Sequence, residues 1–272
     1  KNETFIQTDE AAYAMTFTGP PFTFSFRLLG VNCGAVAING TISVDGTIYW
    51  IGKSNFFVYN GNIQELPCSV QHFVFDRMQL RYQDKIHVGH NKKFNEITWF
   101  YVSTANTEGT NPEPDSYVTF NYSENVWTIG SLQRNVWSDA TGFRTVPFAF
   151  DKDGKLYNHE TGTSDNGSAM SCHIETSEVE IDETGSRLFM IDKIVPDTSM
   201  TSDTNLFVEL KSRKYPHATE ITKGPFTVTS TTRKVSTRAK GRQIAIKYSS
   251  TGTDDNWSLG DFRVNAREDS SR

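Results

Sequence analysis

The sequence predicts an all-β fold of short antiparallel strands, and three observations support this prediction. Apolar and polar residues alternate along much of the chain, as in residues 22–26, where three Phe alternate with Thr and Ser. No window of about twelve residues keeps the apolar spacing of a helix. Aromatic residues make up 12% of the 272 residues while all hydrophobic residues make up 36%, a balance typical of aromatic-rich strands. We therefore expect little helix, at most a short turn or two.

Turn signals set the boundaries of the predicted strands. Asp45-Gly46 lies between two alternating segments and supplies the positive φ angles of a type I′ hairpin. Asn60-Gly61 and Asp153-Gly154 repeat this pattern between further strand-like segments. Because the turns follow one another at short intervals, the strands they connect are predicted to be short and antiparallel.

These hairpins recur with a period. The segment 45–49 matches 153–157, and the segment 95–99 lies between them in an equivalent place, so the three points are roughly 50 residues apart. A period of this length with an aromatic residue in each unit is typical of β-propeller blades, which cover their apolar faces by stacking. We predict propeller-like blades of three to four strands over residues 1–200 and a closing antiparallel β region over residues 201–272. A pair of β-sandwiches remains the alternative.

The predicted C-terminal region is distinguished by its charge. Residues 211–247 contain ten Lys or Arg and one acid, Glu220, while the rest of a chain with 27 basic and 32 acidic residues carries a net charge of about −14. Arg238, Lys240 and Arg242 alternate, so they lie on one side of a regular strand and are candidate subunit-interface residues. Pairing with an acidic neighbour, a solvated surface and contact with DNA phosphates are the three interpretations. Pairing is favoured, and salt should then loosen the assembly.

No motif predicts catalysis, a cofactor or a metal. The sequence lacks Gly-x-Ser-x-Gly, a P-loop and Gly-x-Gly-x-x-Gly. The segment 43–50 has the wrong register for a sialidase Asp-box, and the loop beginning at Asp151 lacks the acids of a calcium loop. His87 and His90 fall on opposite sides of a strand. We therefore predict no catalytic, cofactor-binding or metal-binding residue.

Composition narrows the class of protein further. The net charge of −5 and the 22% of charged residues exclude a globally basic nucleic-acid binder and a disordered chain, and no apolar run reaches a membrane-spanning length. Cys33, Cys68 and Cys172 are predicted to be free thiols. The chain begins at Lys1 without a signal-peptide pattern, so we expect a processed product or a piece of a longer protein. Residues 103–116 are predicted to be a mobile polar insertion, and residues 163–168 and 199–204 shorter loops of the same kind.

An ordered set of motifs covers nearly the whole chain, from about residue 5 to the end. It contains the segments 19–26, 50–52, 57–61, 66–68, 95–101, 127–130, 156–162, 238–243 and 257–263. With this set the chain resembles the tail nozzle, stabilisation or head-closure hub proteins of short-tailed bacteriophages. Each motif alone is only a strand with a Trp or a turn, so the order carries the resemblance. The chain departs from the family's pattern at residues 134–137.

The resemblance implies a non-enzymatic structural component of the virion. Such proteins look like propeller-containing subunits that assemble as sixfold rings below the portal and adaptor, contact a tail fibre or needle, and form the exit tube for the genome. The segment would correspond to the C-terminal part of a longer protein made in the bacterial cytoplasm. The resemblance implies neither sequence-specific nucleic-acid binding nor a membrane segment. A propeller-type protein that binds or cleaves glycans on a host surface is the alternative function.

Overall fold

The chain is all-β, as the sequence predicts. The structure, a computed structural model, describes residues 3–109, 111–180, 182, 187–201 and 204–270, with 51% of residues in strands and 5% in helices. The chain divides into two compact units, Lys1–Thr161 and Gly162–Arg272. Parts of the two predicted loops 103–116 and 199–204 lie outside the described residues.

Fourteen strands are described in the first unit, together with two short helical segments. The strands are β1 (Glu3–Gln7), β2 (Ala11–Phe17), β3 (Phe24–Val31), β4 (Thr41–Val44), β5 (Thr47–Ile51), β6 (Phe56–Tyr59), β7 (Ile63–Leu66), β8 (His87–Asn91), β9 (Glu96–Tyr101), β10 (Ser116–Asn121), β11 (Val126–Ser131), β12 (Val136–Ser138), β13 (Phe148–Phe150) and β14 (Leu156–Asn158). Helix α1 (Gln71–Arg77) and a 3₁₀ segment (Leu80–Lys85) join β7 to β8.

Each strand of this unit pairs with its neighbour in the chain. The first sheet is β1-β2-β3, the second β4-β5-β6-β7, the third β8-β9-β10-β11 and the fourth β12-β13-β14. All the pairs are antiparallel, because each hairpin turn returns the chain beside the strand it has just left. These are the three- and four-stranded sheets that the repeat predicts. That they are blades of a propeller stays a prediction.

The four sheets stack in chain order through aromatic cores. Between the first and second sheets, Phe5 contacts Trp50 at 5.6 Å between ring centroids. Between the second and third, Phe56 contacts Trp99 at 5.0 Å in the largest core cluster. Trp137 of the fourth sheet packs at 5.9 Å on Phe100 of the third. The period-2 alternation of strands directs one set of side chains to each neighbouring sheet, so the second and third sheets are covered on both faces.

The predicted hairpins form, but with connections of different length. Asp45 and Gly46 have φ angles of 48° and 84°, so this pair is the two-residue turn that the sequence predicts. Asn60-Gly61 lies in a three-residue connection, and of this pair only Gly61 has a positive φ. Asp151 accepts bonds from the amides of Asp153 and Lys155, which holds a five-residue connection around Gly154. A side-chain acceptor before the turn therefore lengthens the loop.

Ten strands are described in the second unit. They are β15 (Cys172–Glu175), β16 (Val179–Glu180), β17 (Leu188–Val195), β18 (Thr198–Met200), β19 (Leu206–Arg213), β20 (Ile221–Val228), β21 (Val235–Gly241), β22 (Gln243–Ser250), β23 (Trp257–Leu259) and β24 (Arg263–Ser270). One sheet has the order β15-β22-β19-β20, with β16 also on β22; a second is β21-β17-β24, and β18 pairs with β23. Ile191, Leu206, Leu210 and Tyr248 are among the residues of their shared core.

The division between the units falls earlier than the predicted boundary at 200/201. Strands β15 and β17 come before that boundary, yet β15 pairs with β22 and β17 pairs with β21 and β24. These pairings are distant in the sequence, so local turn signals do not reveal them. Residues 162–200 accordingly belong to the C-terminal unit.

The predicted insertion at 103–116 is tied to the body of the first unit. The carboxylate of Asp115 accepts bonds from the amide and the hydroxyl of Ser103, both at 2.7 Å, which join the two ends of the loop. Lys152 donates to the Glu108 carboxylate at 2.9 Å, and Pro112 and Pro114 are buried. These bonds and the buried prolines give the described part of this loop fixed partners.

Candidate functional site

The three predicted interface residues lie at the end of β21 and just beyond it. Arg238 is exposed, whereas Lys240 and Arg242 are half-buried. The Lys240 ammonium lies 2.6 Å from the Asp269 carboxylate of β24, an ion pair within the same unit. The Nε atom of Arg242 is buried without a hydrogen-bond partner, while its backbone amide donates to the Arg213 carbonyl. Of the three, Arg238 is the one that stands fully in solvent.

Other basic residues of segment 211–247 are also paired inside the unit. Lys211 contacts Glu175 at 2.6 Å, Arg213 contacts Glu178 and Glu220 at 3.1 and 3.2 Å, and Lys247 contacts Glu209 at 3.8 Å. The Glu175 partner raises the pKa of Lys211. Strand pairing therefore brings acids that precede residue 211 beside these basic residues and neutralises part of the charge of the segment. A count of charges along the sequence does not reveal this pairing.

An apolar surface of another kind lies on the outer face of the first sheet. Alternate residues of β2 and β3 form it in register, with Tyr13 opposite Leu28, Met15 opposite Phe26 and Phe17 opposite Phe24. We call these six residues the phenylalanine face. Phe17, Phe24, Phe26 and Leu28 are 65%, 47%, 64% and 52% exposed. The alternation that buries Ala12 and Ala14 against the second sheet directs these larger residues to solvent.

A second apolar surface lies on the outer face of the fourth sheet. Val136, Phe150 and Leu156 lie opposite one another across its three strands, and they are 55%, 37% and 41% exposed. We call these three residues the fourth-sheet face. Their neighbours Trp137, Ala149 and Tyr157 form the cross-strand row on the opposite face. The sequence identifies neither surface as functional, although the alternation of Phe in residues 22–26 is a visible signal of the phenylalanine face.

A polar cluster lies where the third and fourth sheets meet. Arg134 is only 7% exposed and donates from Nε to His159 at 3.0 Å, while its guanidinium lies over the Tyr157 ring. Asn91 is buried and donates to the Glu160 carboxylate at 3.0 Å. The Asn91–Glu160 bond joins the residues after β14 to β8 of the third sheet.

Two carboxylates of this cluster interact. Burial raises the pKa of Glu96, and the nearby Glu160 carboxylate raises it further. Burial also raises the pKa of Tyr117, with Glu96 as a second cause. The Oδ1 atom of Asn91 is buried without a partner. Glu96 is half-buried and Glu160 is exposed, and two neighbouring acids in such different surroundings can hold or transfer a proton.

The two cavities described lie away from that pair. The larger, about 470 Å³, is lined by Pro67, Cys68, Ser69, Asn125, Val126 and Trp127. The smaller, about 200 Å³, is lined by Val195, Pro196, Asp197, Asp261 and Arg263. Both are open at the surface, and neither brings a nucleophile together with a base.

Cys33, Cys68 and Cys172 are free thiols, as the sequence predicts. Across the described ranges, no three side chains of His, Cys, Asp or Glu converge as a metal site. In the same part of the chain, no helix has the length and apolar character needed to cross a membrane.

Comparison with known proteins gives no family. No family model matches the chain, and no curated protein matches it. Among solved structures, the chain is similar to a glycoside hydrolase at 7% identity and a TM-score of 0.22, with 97% of each chain covered. It is also similar to an exo-β-1,3-galactanase from Phanerochaete chrysosporium at 9% identity and a TM-score of 0.16, covering 97% of this chain and 68% of that one. Likenesses this weak transfer no activity to the chain.

Proposed function

We propose that the chain is a structural, non-enzymatic component of a short phage tail, forming part of an oligomeric nozzle or hub through which the genome leaves the particle. Its place is the virion, after synthesis in the bacterial cytoplasm, and its partners are further copies of itself in a sixfold ring and neighbouring tail proteins such as an adaptor, fibre or needle. The ordered set of motifs described above supports this identification.

One structural observation carries the proposal, namely the phenylalanine face. An uncharged apolar surface on a strand at the edge of a sheet is typical of proteins that work by assembly, since isolated soluble proteins rarely expose contiguous apolar patches above a few hundred Å². Neither cavity, in contrast, has the enclosed shape of a substrate site. A role that depends on surfaces therefore fits the chain better than a role that depends on a pocket.

The proposal is tested by measuring particle mass and shape for the whole chain. Light scattering should give a multiple of 30.7 kDa, and negative-stain electron microscopy should show rings with an open centre. Antibodies against the chain should label the tails of virions that contain it. A monomer at all concentrations, together with unlabelled tails, would refute the proposal.

A second candidate function is a glycan-binding or glycan-cleaving protein that acts on a host surface. The pair Glu96 and Glu160 favours it, because glycosidases use two carboxylates and raise the pKa of the one that donates a proton. A glycan array and a hydrolysis screen test this candidate directly. If a sugar is cleaved by the parent but not by Glu96→Gln, while Glu124→Gln in the exposed turn before β11 cleaves normally, the second candidate replaces the first.

A further inference from the structure

We propose that the fourth-sheet face of one copy packs on the phenylalanine face of a second copy, so that identical chains join head to tail. The inference deepens the proposed function by naming the contact through which its subunits would assemble. Only the closure of the copies into a ring rests on the proposed function. The two apolar surfaces are features of the structure itself.

The stacking of sheets in the first unit explains why these two surfaces exist. Each sheet is covered by the next one in the chain, so both faces of the second and third sheets are buried. Among the described strands of the first unit, the first and fourth sheets end the series, and each has one face with no other sheet of that unit upon it. Those are the phenylalanine face and the fourth-sheet face. A second copy would continue the series with the packing that already holds the sheets together.

The chemistry of the two faces selects a protein partner without charge. The outward-facing positions of β2 and β3 hold only Tyr, Met, Phe and Leu, while Arg27 lies in the other alternation and pairs with Glu3. The outward positions of the fourth sheet hold Val, Ser, Phe, Leu and Asn, and the Arg144 guanidinium lies over the Phe148 ring and donates to Asn158 at one end of this sheet. Nucleic acid needs Lys or Arg for its phosphates, and an interfacial lipid site is usually flanked by them. The row of Val136, Phe150 and Leu156 offers this surface an uncharged apolar partner, while Arg144 lies exposed at the Phe148 end of the sheet and can stay in water.

The area available is sufficient for a specific contact. From their exposed fractions, the large side chains of the two faces would together remove roughly 700 Å² of apolar surface from water. Since about 57% of a typical interface is apolar, such a contact buries roughly 1,200 Å² in all, at the lower end of the standard size. The contact joins two different surfaces, so it is heterologous, and a heterologous contact closes into a ring when the rotation allows it.

Two paired variants test the contact. Phe24→Thr/Phe26→Thr removes the phenylalanine face and Val136→Thr/Phe150→Thr removes the fourth-sheet face, and in both cases a strand-forming residue replaces the apolar one. Sedimentation velocity should show each variant as a monomer under conditions in which the parent assembles, with self-association weakened at least about 30-fold. Tyr215→Thr, at an exposed residue of the second unit, should assemble as the parent does.

Mixing the two variants gives the decisive measurement. Each retains one intact face, so a 1:1 mixture should form a dimer and nothing larger. If the phenylalanine face instead binds itself, the variant that retains it will dimerise alone and the head-to-tail contact is wrong.

If the parent assembles and both variants assemble equally well, these faces are wrong and the proposed function stands. A monomeric parent refutes the contact and the ring together, and a monomer that binds neutral lipid vesicles identifies lipid as the occupant. Unchanged circular dichroism shows that a variant is folded. If a double variant misfolds, the single variants Phe26→Thr and Phe150→Thr take the place of the two double variants.

Discussion

His87 makes the first unit sensitive to acid. Its ring stacks on Phe100 at 4.9 Å between centroids and 11° between planes, and Nδ1 lies 3.2 Å from the Lys85 carbonyl. The Nε2 atom is buried without a partner, and burial lowers the pKa of this imidazole below its ordinary value. The folded chain therefore favours the neutral ring.

The sign of the resulting pH dependence follows from the lowered pKa. Below about pH 6.5 the unfolded chain binds a proton at His87 that the folded chain does not, so the free energy of unfolding falls as the pH falls. His87→Phe keeps an aromatic ring on Phe100 and removes the titrating group. Between pH 7.5 and 5.5 its stability should fall by about 1 kcal/mol less than that of the parent in urea titrations. His217→Phe, at an exposed site, should follow the parent, and equal slopes for all three proteins would contradict this account.

At the scale of elements, the contact between the third and fourth sheets depends on a glycine. A Cβ atom at Gly89 of β8 would lie 2.5 Å from Cγ and Cδ1 of Trp137. The Trp137 indole also donates to the His90 carbonyl at 2.9 Å, so the ring cannot move away without losing that bond. Close approach of β12 to β8 thus requires a residue without a side chain.

Gly89→Ala should therefore loosen the fourth sheet. We expect a loss of about 1–3 kcal/mol in the free energy of unfolding, the usual result of overpacking, and a red-shifted Trp emission. Gly142→Ala is the matched control, because a Cβ atom at Gly142 meets nothing within 4 Å and its φ is not positive. Chemical denaturation of both variants measures the difference. Identical midpoints would show that the indole does not hold the two sheets together.

Elements with local signals were predictable, and elements held by distant pairing were not. The Asp45-Gly46 turn and the strands beside it follow from adjacent residues, so the sequence indicates them correctly. Strand β15 is only four residues long and exposed along its whole length, and it forms where β22 pairs with it. The strand-like segment 235–250 is divided into β21 and β22 at Arg242, since its two halves join different sheets.

The same distinction applies to the candidate surfaces. The charge of residues 211–247 is visible in the sequence, but its partners Glu175, Glu178 and Asp269 reach it only through folding. The phenylalanine face is visible as an alternation, but only the stacking of sheets determines which side is covered. Charge and apolar alternation are therefore visible in the sequence, but the sequence does not show which of them is free to meet a partner.

For the whole molecule, the basic residues and the apolar faces make different predictions about assembly. Pairing through the basic residues predicts that Arg238→Glu/Lys240→Glu/Arg242→Glu leaves a folded monomer. Because Lys240 pairs with Asp269 inside the unit, we now expect these changes to lower the free energy of unfolding by about 1 kcal/mol. Assembly through the apolar faces should persist. Thermal unfolding of this variant measures its stability, and light scattering measures its assembly. A stable monomer would show that the basic residues form the contact between copies.

The response of the assembled chain to salt tests the central claim most directly. Sedimentation velocity of the full chain should be measured at 0.1 M and 1 M NaCl, where the Debye length falls from about 10 Å to 3 Å. Contact between apolar sheet faces predicts the same assembly at both concentrations, because no ion pair holds the copies together. Dissociation of the assembly at 1 M NaCl would contradict the account and assign the contact to the charges of residues 211–247.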